Sequence, residues 1–121
     1  MSRGRQLLGR RGEALAEAHL VAQGYRVLAR NFRCRFGEVD LVADDGGVVV
    51  FAEVKARRSA RAGTGGEAVG TFKRRRLAAA ARYFLALHGL TAAPCRFDVV
   101  SVDVEAEGTR VDVVRNAFTA P

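Results

Sequence analysis

The chain has 121 residues and is 49% hydrophobic, enough for one compact domain with a core and too little for two. No apolar run is long enough to span a membrane, the basic N-terminal stretch lacks the apolar centre of a signal peptide, and the two cysteines have no metal-ligand spacing, so a cytoplasmic protein with reduced thiols and no membrane partner is expected. The net charge of +7 is uneven, with seventeen Lys and Arg against eight Asp and Glu in residues 1–82 and an acidic excess after that, which points to a polyanionic partner for the first two-thirds.

Residues 1–8 read as a flexible N-terminus, and residues 10–23 as the first helix. Ala14, Leu15, Ala18, Val21 and Ala22 fall at helical spacings and predict its apolar stripe, and Gly24 follows as a stop. Strands are predicted over residues 25–33, 37–43 and 48–55. Between the last two, Asp44-Asp45-Gly46-Gly47 is a hairpin signal, because aspartate and glycine tolerate the positive φ of tight turns. Residues 56–66 form a basic, glycine-containing loop. A second helix follows over about residues 67–88, with Val69, Phe72, Leu77, Ala80, Ala81, Phe84 and Leu87 predicted inside. Strands over 96–104 and 110–115 complete the order α-β-β-β-α-β-β. The helix between the third and fourth strands favours their parallel pairing. The expected class is α/β, a mixed sheet flanked by helices.

The hairpin places charge where charge is expensive. In the strand over 48–55, Val49, Phe51, Glu53 and Lys55 share one face. Glu38, Asp40 and Val42 share a face of the preceding strand. A turn at Asp45-Gly46 pairs Asp40 with Phe51, and a turn centred on Gly46-Gly47 pairs it with Glu53. Either register makes the two acids neighbours on one face. Such a pair is costly unless a cation sits between the carboxylates. A hard divalent cation suits it, and Mg²⁺ needs only one or two protein carboxylates plus waters. Lys55 then serves as base or as fixed cation. The plainer alternative is that Lys55 neutralises Glu53 or Asp40 in a structural ion pair, which leaves one acid uncompensated.

An Asp followed about a dozen residues later by Glu-x-Lys is the PD-(D/E)xK pattern of restriction-endonuclease-like nucleases, here Asp40 with Glu53-Val54-Lys55. The wider run GRRGEALAEAHLVAQGYRVLARNFR, GEVDLV, VVVFAEVKARR, EAVGTFKRRRLAAAARYFL and CRFDVVSV resembles the YraN family, small bacterial proteins similar to archaeal Holliday-junction resolvases. The match covers about Gly9 to Val102; Val39 stands where the pattern's proline would be. The resemblance implies a three-layer restriction-endonuclease-like core in one nuclease-like domain, with a divalent-metal site for Mg²⁺ or Mn²⁺. It makes Asp40 and Glu53 metal ligands, Lys55 the catalytic lysine and Glu13 a further acid of the site. Glu13 also has a plain reading, an acid favoured by the dipole in a helix's first turn.

The other polar residues divide by position. Arg57, Arg58 and Arg61 follow Lys55 directly and suit phosphate contacts, as do Lys73 and Arg76 on one side of the second helix. Arg74 and Arg75 are offset from them on that helix. Glu38 reads as an edge acid paired with Arg33 or Arg35, and Asp98 as an acid that fixes the fold through backbone or arginine contacts. His19 and His88 have no partner at catalytic or zinc spacing. Residues 63–68, GTGGEA, read as a loop before a helix N-terminus able to bind a phosphate rather than as a dinucleotide turn. The leading expectation is a metal-dependent endonuclease acting on DNA, with branched or junction DNA as a candidate substrate. Junction resolution would require a homodimer. The alternatives are a nucleic-acid-binding module of nuclease fold without turnover, or an adaptor in DNA repair or uptake.

Overall fold

The computed structural model describes residues 3–58 and 70–119, with side chains from Leu8 onward. Along the chain these run α1 (Arg3–Ala22), β1 (Arg26–Cys34), β2 (Gly37–Asp45), β3 (Val48–Arg57), α2 (Thr71–Leu87), β4 (Cys95–Glu105) and β5 (Gly108–Phe118). The strands form one mixed sheet in the order β1-β2-β3-β4-β5. Only the β3–β4 pair is parallel, and α2 lies between those strands in the chain, as the crossover argument expects. The chain is therefore α/β, with five strands and two helices among the described residues. None of these helices is long and apolar enough to cross a membrane.

Period-two alternation divides β3 between two cores. Val49 and Phe51 join Leu77, Ala81 and Phe84 of α2 on one face of the sheet. Val50 and Ala52 join Ala16 and Leu20 of α1 on the other. The first core is aromatic: Phe84 meets Phe51 edge-on at 5.9 Å between ring centroids, and Phe97 stacks on Phe118 at 5.0 Å. The second is built from smaller residues, so α1 sits close to the sheet. A Cβ added at Gly12 would stand 2.4 Å from the Ala56 Cβ.

That close approach corrects the predicted stripe of α1. Ala14, Ala18, Val21 and Ala22 are exposed, and Gly12, Ala16 and Leu20 face the sheet instead. Counting apolar residues selected the face with more of them. The packing selected the face with Gly12 at its closest approach to β3 and Leu20 as its largest buried side chain. The helix also begins at Arg3, not Arg10. In α2 the inner positions Leu77, Ala80, Ala81 and Phe84 stand as expected, whereas Phe72 and Leu87 are 74% and 59% exposed. Those two lie at the helix ends. Val69 falls outside the described residues.

The hairpin takes the second of the two registers. Asp45 pairs with Val48, Val42 with Phe51 and Leu41 with Ala52. The two linking residues, Gly46 and Gly47, both have positive φ, 59° and 98°, the condition a two-residue turn of this hand imposes. The Asp44 carboxylate accepts the Gly47 N–H at 3.1 Å, which fixes the turn.

Asp98 acts as the sequence suggests. It is 1% exposed, accepts two contacts from Arg96 Nε at 3.1 and 3.2 Å, and accepts the Asn116 N–H at 3.1 Å across the β4–β5 irregularity. Glu38 pairs with Arg33 at 3.1 Å. Both acids are thereby assigned to the fold.

Candidate functional site

The β2–β3 ladder stops at Leu41–Ala52, one pair short of Asp40 and Glu53. Beyond that point the Asp40 carboxylate substitutes for backbone, its Oδ2 accepting the Val54 N–H at 2.8 Å. On the other side of β2, Arg30 pairs with Leu41 and Phe32 with Val39, so Asn31 lies across from Asp40. Asn31 has φ 49°, a conformation asparagine tolerates better than most residues. Asp40 thus sits where both neighbouring strands depart from regular geometry.

Glu53 is buried on the α2 face and Asp40 is half-buried beside it. The Asp40 pKa is pushed up from 3.8 to about 7. Burial is the largest cause, the Glu53 charge is next, and the Val54 N–H opposes them. The charge of Glu13 and a hydrogen bond with the Glu53 carboxyl add smaller upward contributions. Burial and the neighbouring acid both oppose ionisation of Asp40.

The cation that answers Glu53 is Lys73 of α2, whose Nζ forms an ion pair with Glu53 Oε1. Burial acts to lower the Lys73 pKa, but the hydrogen bond and charge of Glu53, with the charges of Asp40 and Glu38, outweigh it and raise the value. Lys55 lies half-buried two residues past Glu53, opposite Ser101 of β4. Among the described contacts, none ties its ammonium to Glu53 or Asp40. The structural ion pair considered for Lys55 is therefore made by Lys73 instead, a partner eighteen residues further on that only the packing of α2 brings near.

Glu13 is half-buried and lies eleven residues into α1, so a first-turn dipole role does not apply to it. It lines a cleft of about 340 Å³ with Arg10, Glu17, Arg30, Asn31 and Leu41. Next to it, Glu17 and Arg30 form a two-pronged pair at 2.5 Å, and the Arg30 hydrogen bond holds the Glu17 carboxyl below its usual range. The charge of Glu13 is felt at Asp40, but no three His, Cys, Asp or Glu side chains gather into a metal cage among the described residues.

The residues expected to contact phosphate are dispersed. Arg57 belongs to β3, not to a loop. Its guanidinium faces buried Asp103 at 3.3 Å and donates to Ser101 Oγ at 3.4 Å. Parallel register places Lys55 beside Ser101 and Arg57 beside Asp103, a buried polar strip that continues the Glu53 face. The sequence did carry this as Ser101 and Asp103 in alternation, but their facing partners depend on a register that sequence alone leaves open. Arg58 is exposed at the end of β3. Arg76 is exposed and lies over the Phe72 ring at 5.8 Å. Arg61 and the GTGGEA segment lie outside the described residues. Cys34 and Cys95 are both free thiols.

Comparison with known proteins places the sequence in a family. Residues 12–102 match the model described as Uncharacterised protein family UPF0102, a span that contains Glu13, Asp40, Glu53, Lys55 and Lys73. A UPF0102 protein of Symbiobacterium thermophilum is 53% identical over 93% of this chain and 97% of its own length. One from Anaeromyxobacter dehalogenans is 50% identical over 95% of this chain and 86% of its own. One from Moorella thermoacetica is 45% identical over 98% of this chain and 100% of its own.

Proposed function

We propose that this chain, which belongs to the uncharacterised protein family UPF0102, is a metal-dependent endonuclease that hydrolyses phosphodiester bonds in DNA, built as one domain on a restriction-endonuclease-like core. The observation that carries the reading is the Asp40–Glu53 pair, two carboxyls drawn together and desolvated until Asp40 titrates near 7. Two carboxyls so close are costly by burial and mutual repulsion, and a divalent cation would offset that cost.

The donor set fits Mg²⁺ or Mn²⁺. Both acids offer hard oxygen, and such an ion binds through one or two carboxylates while keeping several waters. Asp40 and Glu53 would hold it, with Glu13 contributing charge from α1. When bound, the ion supplies Lewis-acid polarisation of a phosphoryl oxygen and a more acidic water. Lys55, close along the same strand edge, offers an ammonium to stabilise developing negative charge or orient a water. Lys73 neutralises Glu53 when no metal is there. The basic excess of residues 1–82 attracts the polyanion.

The test incubates the protein with labelled linear, flap and four-way-junction DNA, with and without Mg²⁺. Cleavage that requires the ion and is lost in Glu53→Ala and Lys55→Ala supports the reading. Equal cleavage by those variants rejects the assignment. Salt-sensitive binding without any cleavage would instead support a nuclease-fold module that binds or bridges.

A further inference from the structure

We infer that a strip of exposed aromatic rings and arginines beside the acidic pair binds unpaired nucleotides, so that the DNA the protein takes contains a single-stranded segment. The inference rests on the nuclease reading for the direction in which that strand runs, and on separate observations for the binding itself.

Three of the exposed large apolar side chains are aromatic: Phe36 at 41%, Tyr83 at 42% and Phe72 at 74%. Phe36 lies in the β1–β2 turn, and its ring meets Tyr83 at 5.7 Å between centroids. Tyr83 in turn meets Phe32 at 6.3 Å, and Phe32 meets the buried Phe84 edge-on at 5.1 Å. The exposed rings are therefore braced against the core. Phe72, Arg76 and Tyr83 recur at four and seven residues along α2 and share a side of it. The turn and the helix meet without a gap, since a Cβ at Gly37 would stand 2.8 Å from the Arg76 carbonyl oxygen. Phe36 and Tyr83 thus touch, and Phe72 extends their row along the same side of α2.

Its charge selects the occupant. Arg35 lies 5.4 Å from the centre of the Phe36 ring, and Arg76 lies 5.8 Å from that of Phe72. The excess of seventeen Lys and Arg over eight Asp and Glu in residues 1–82 favours a polyanion over a second protein. Two of the three rings carry a guanidinium over them, and rings with arginines are the combination that holds a single strand, with bases stacked on the π faces and phosphates on the cations. A duplex keeps its base faces stacked on one another and cannot use the rings. The strip also reaches the acidic pair: Lys73, next to Phe72 in the chain, contacts Glu53, and Phe36 lies in the turn four residues before Asp40.

The test measures binding of labelled oligothymidylate and of a duplex of equal length by fluorescence anisotropy in EDTA, so that turnover is not needed. The unaltered protein binds the single strand more tightly than the duplex. Phe72→Ala, Phe36→Ala and Arg76→Ala each weaken the single strand by about fivefold or more, and change duplex affinity by less than about twofold. Phe72 is far from the core, so that variant folds, and circular dichroism checks it. Equal losses on both DNAs, or no loss, overturn the inference. Sedimentation in which Phe36→Ala or Phe72→Ala disperses a dimer while single-strand affinity is unchanged also overturns it, and assigns the strip to a second copy of the chain. Failure to cleave any DNA, with single-strand preference intact, would remove the nuclease reading and leave the strip.

Discussion

Replacing Asp40 by asparagine should make the metal-free protein more stable at neutral pH. In the fold the carboxyl titrates near 7, against 3.8 ordinarily. Between those values the folded chain keeps a proton that the unfolded chain has released. Stability therefore falls as pH rises through this window, is fully reduced above about pH 7, and is unaffected below about pH 4, where both states hold the proton. Three decades of proton concentration at ~1.4 kcal/mol each set a ceiling of about 4 kcal/mol for the penalty. Asparagine resembles the protonated acid and keeps an oxygen for the Val54 N–H. Urea unfolding in EDTA should show the variant ahead by about 1–4 kcal/mol near pH 8 and level with the unaltered protein near pH 4. Added Mn²⁺ should then stabilise the unaltered protein and not the variant. A variant that is less stable near pH 8, or whose advantage does not change with pH, would refute the idea that two carboxyls contest one site.

Three further outcomes test other parts of the structure. Lys73→Met should raise Mn²⁺ affinity about three- to fivefold by calorimetry, since the ion no longer displaces a half-exposed ammonium from Glu53; weaker binding would mean that Lys73 assists the metal. Gly12→Ala should lower stability in urea, because an overlap with the Ala56 Cβ of the kind that costs about 1–3 kcal/mol outweighs a helix-propensity gain of up to ~1 kcal/mol. At Gly9, where an added Cβ meets nothing within 4 Å, the same change should stabilise.

Local signals carried most of the secondary structure into the sequence. Valine-rich runs and two adjacent glycines define the β2–β3 hairpin, and the crossover helix defines the parallel pair. The closeness of Asp40 to Glu53 followed from the hairpin, because both registers that the turn residues suggested brought them together, and the structure takes the second. Contacts decided by packing were not legible. Lys73 reaches Glu53 through the placement of α2 over the sheet. Arg57 looked like a loop cation, but β3 runs two residues past Lys55 and turns its side chain onto Asp103. The inner face of α1 was hidden because both sides of the helix carry small apolar residues, and packing against the sheet chose the side with Gly12, Ala16 and Leu20. Asn31 offered one weak hint, its residue type, of the irregularity beside Asp40.

The Gly46–Gly47 turn has a consequence for how the chain can vary. Side chains change face at every residue, so the hairpin has a reading frame. Substitution within the turn leaves that frame intact if the replacement accepts positive φ. One residue added or lost shifts β2 against β3 by a step, and Asp40 then faces α1 rather than standing beside Glu53. The acidic pair is encoded in the number of residues between its members as firmly as in the acids themselves. Length is what this turn has to conserve.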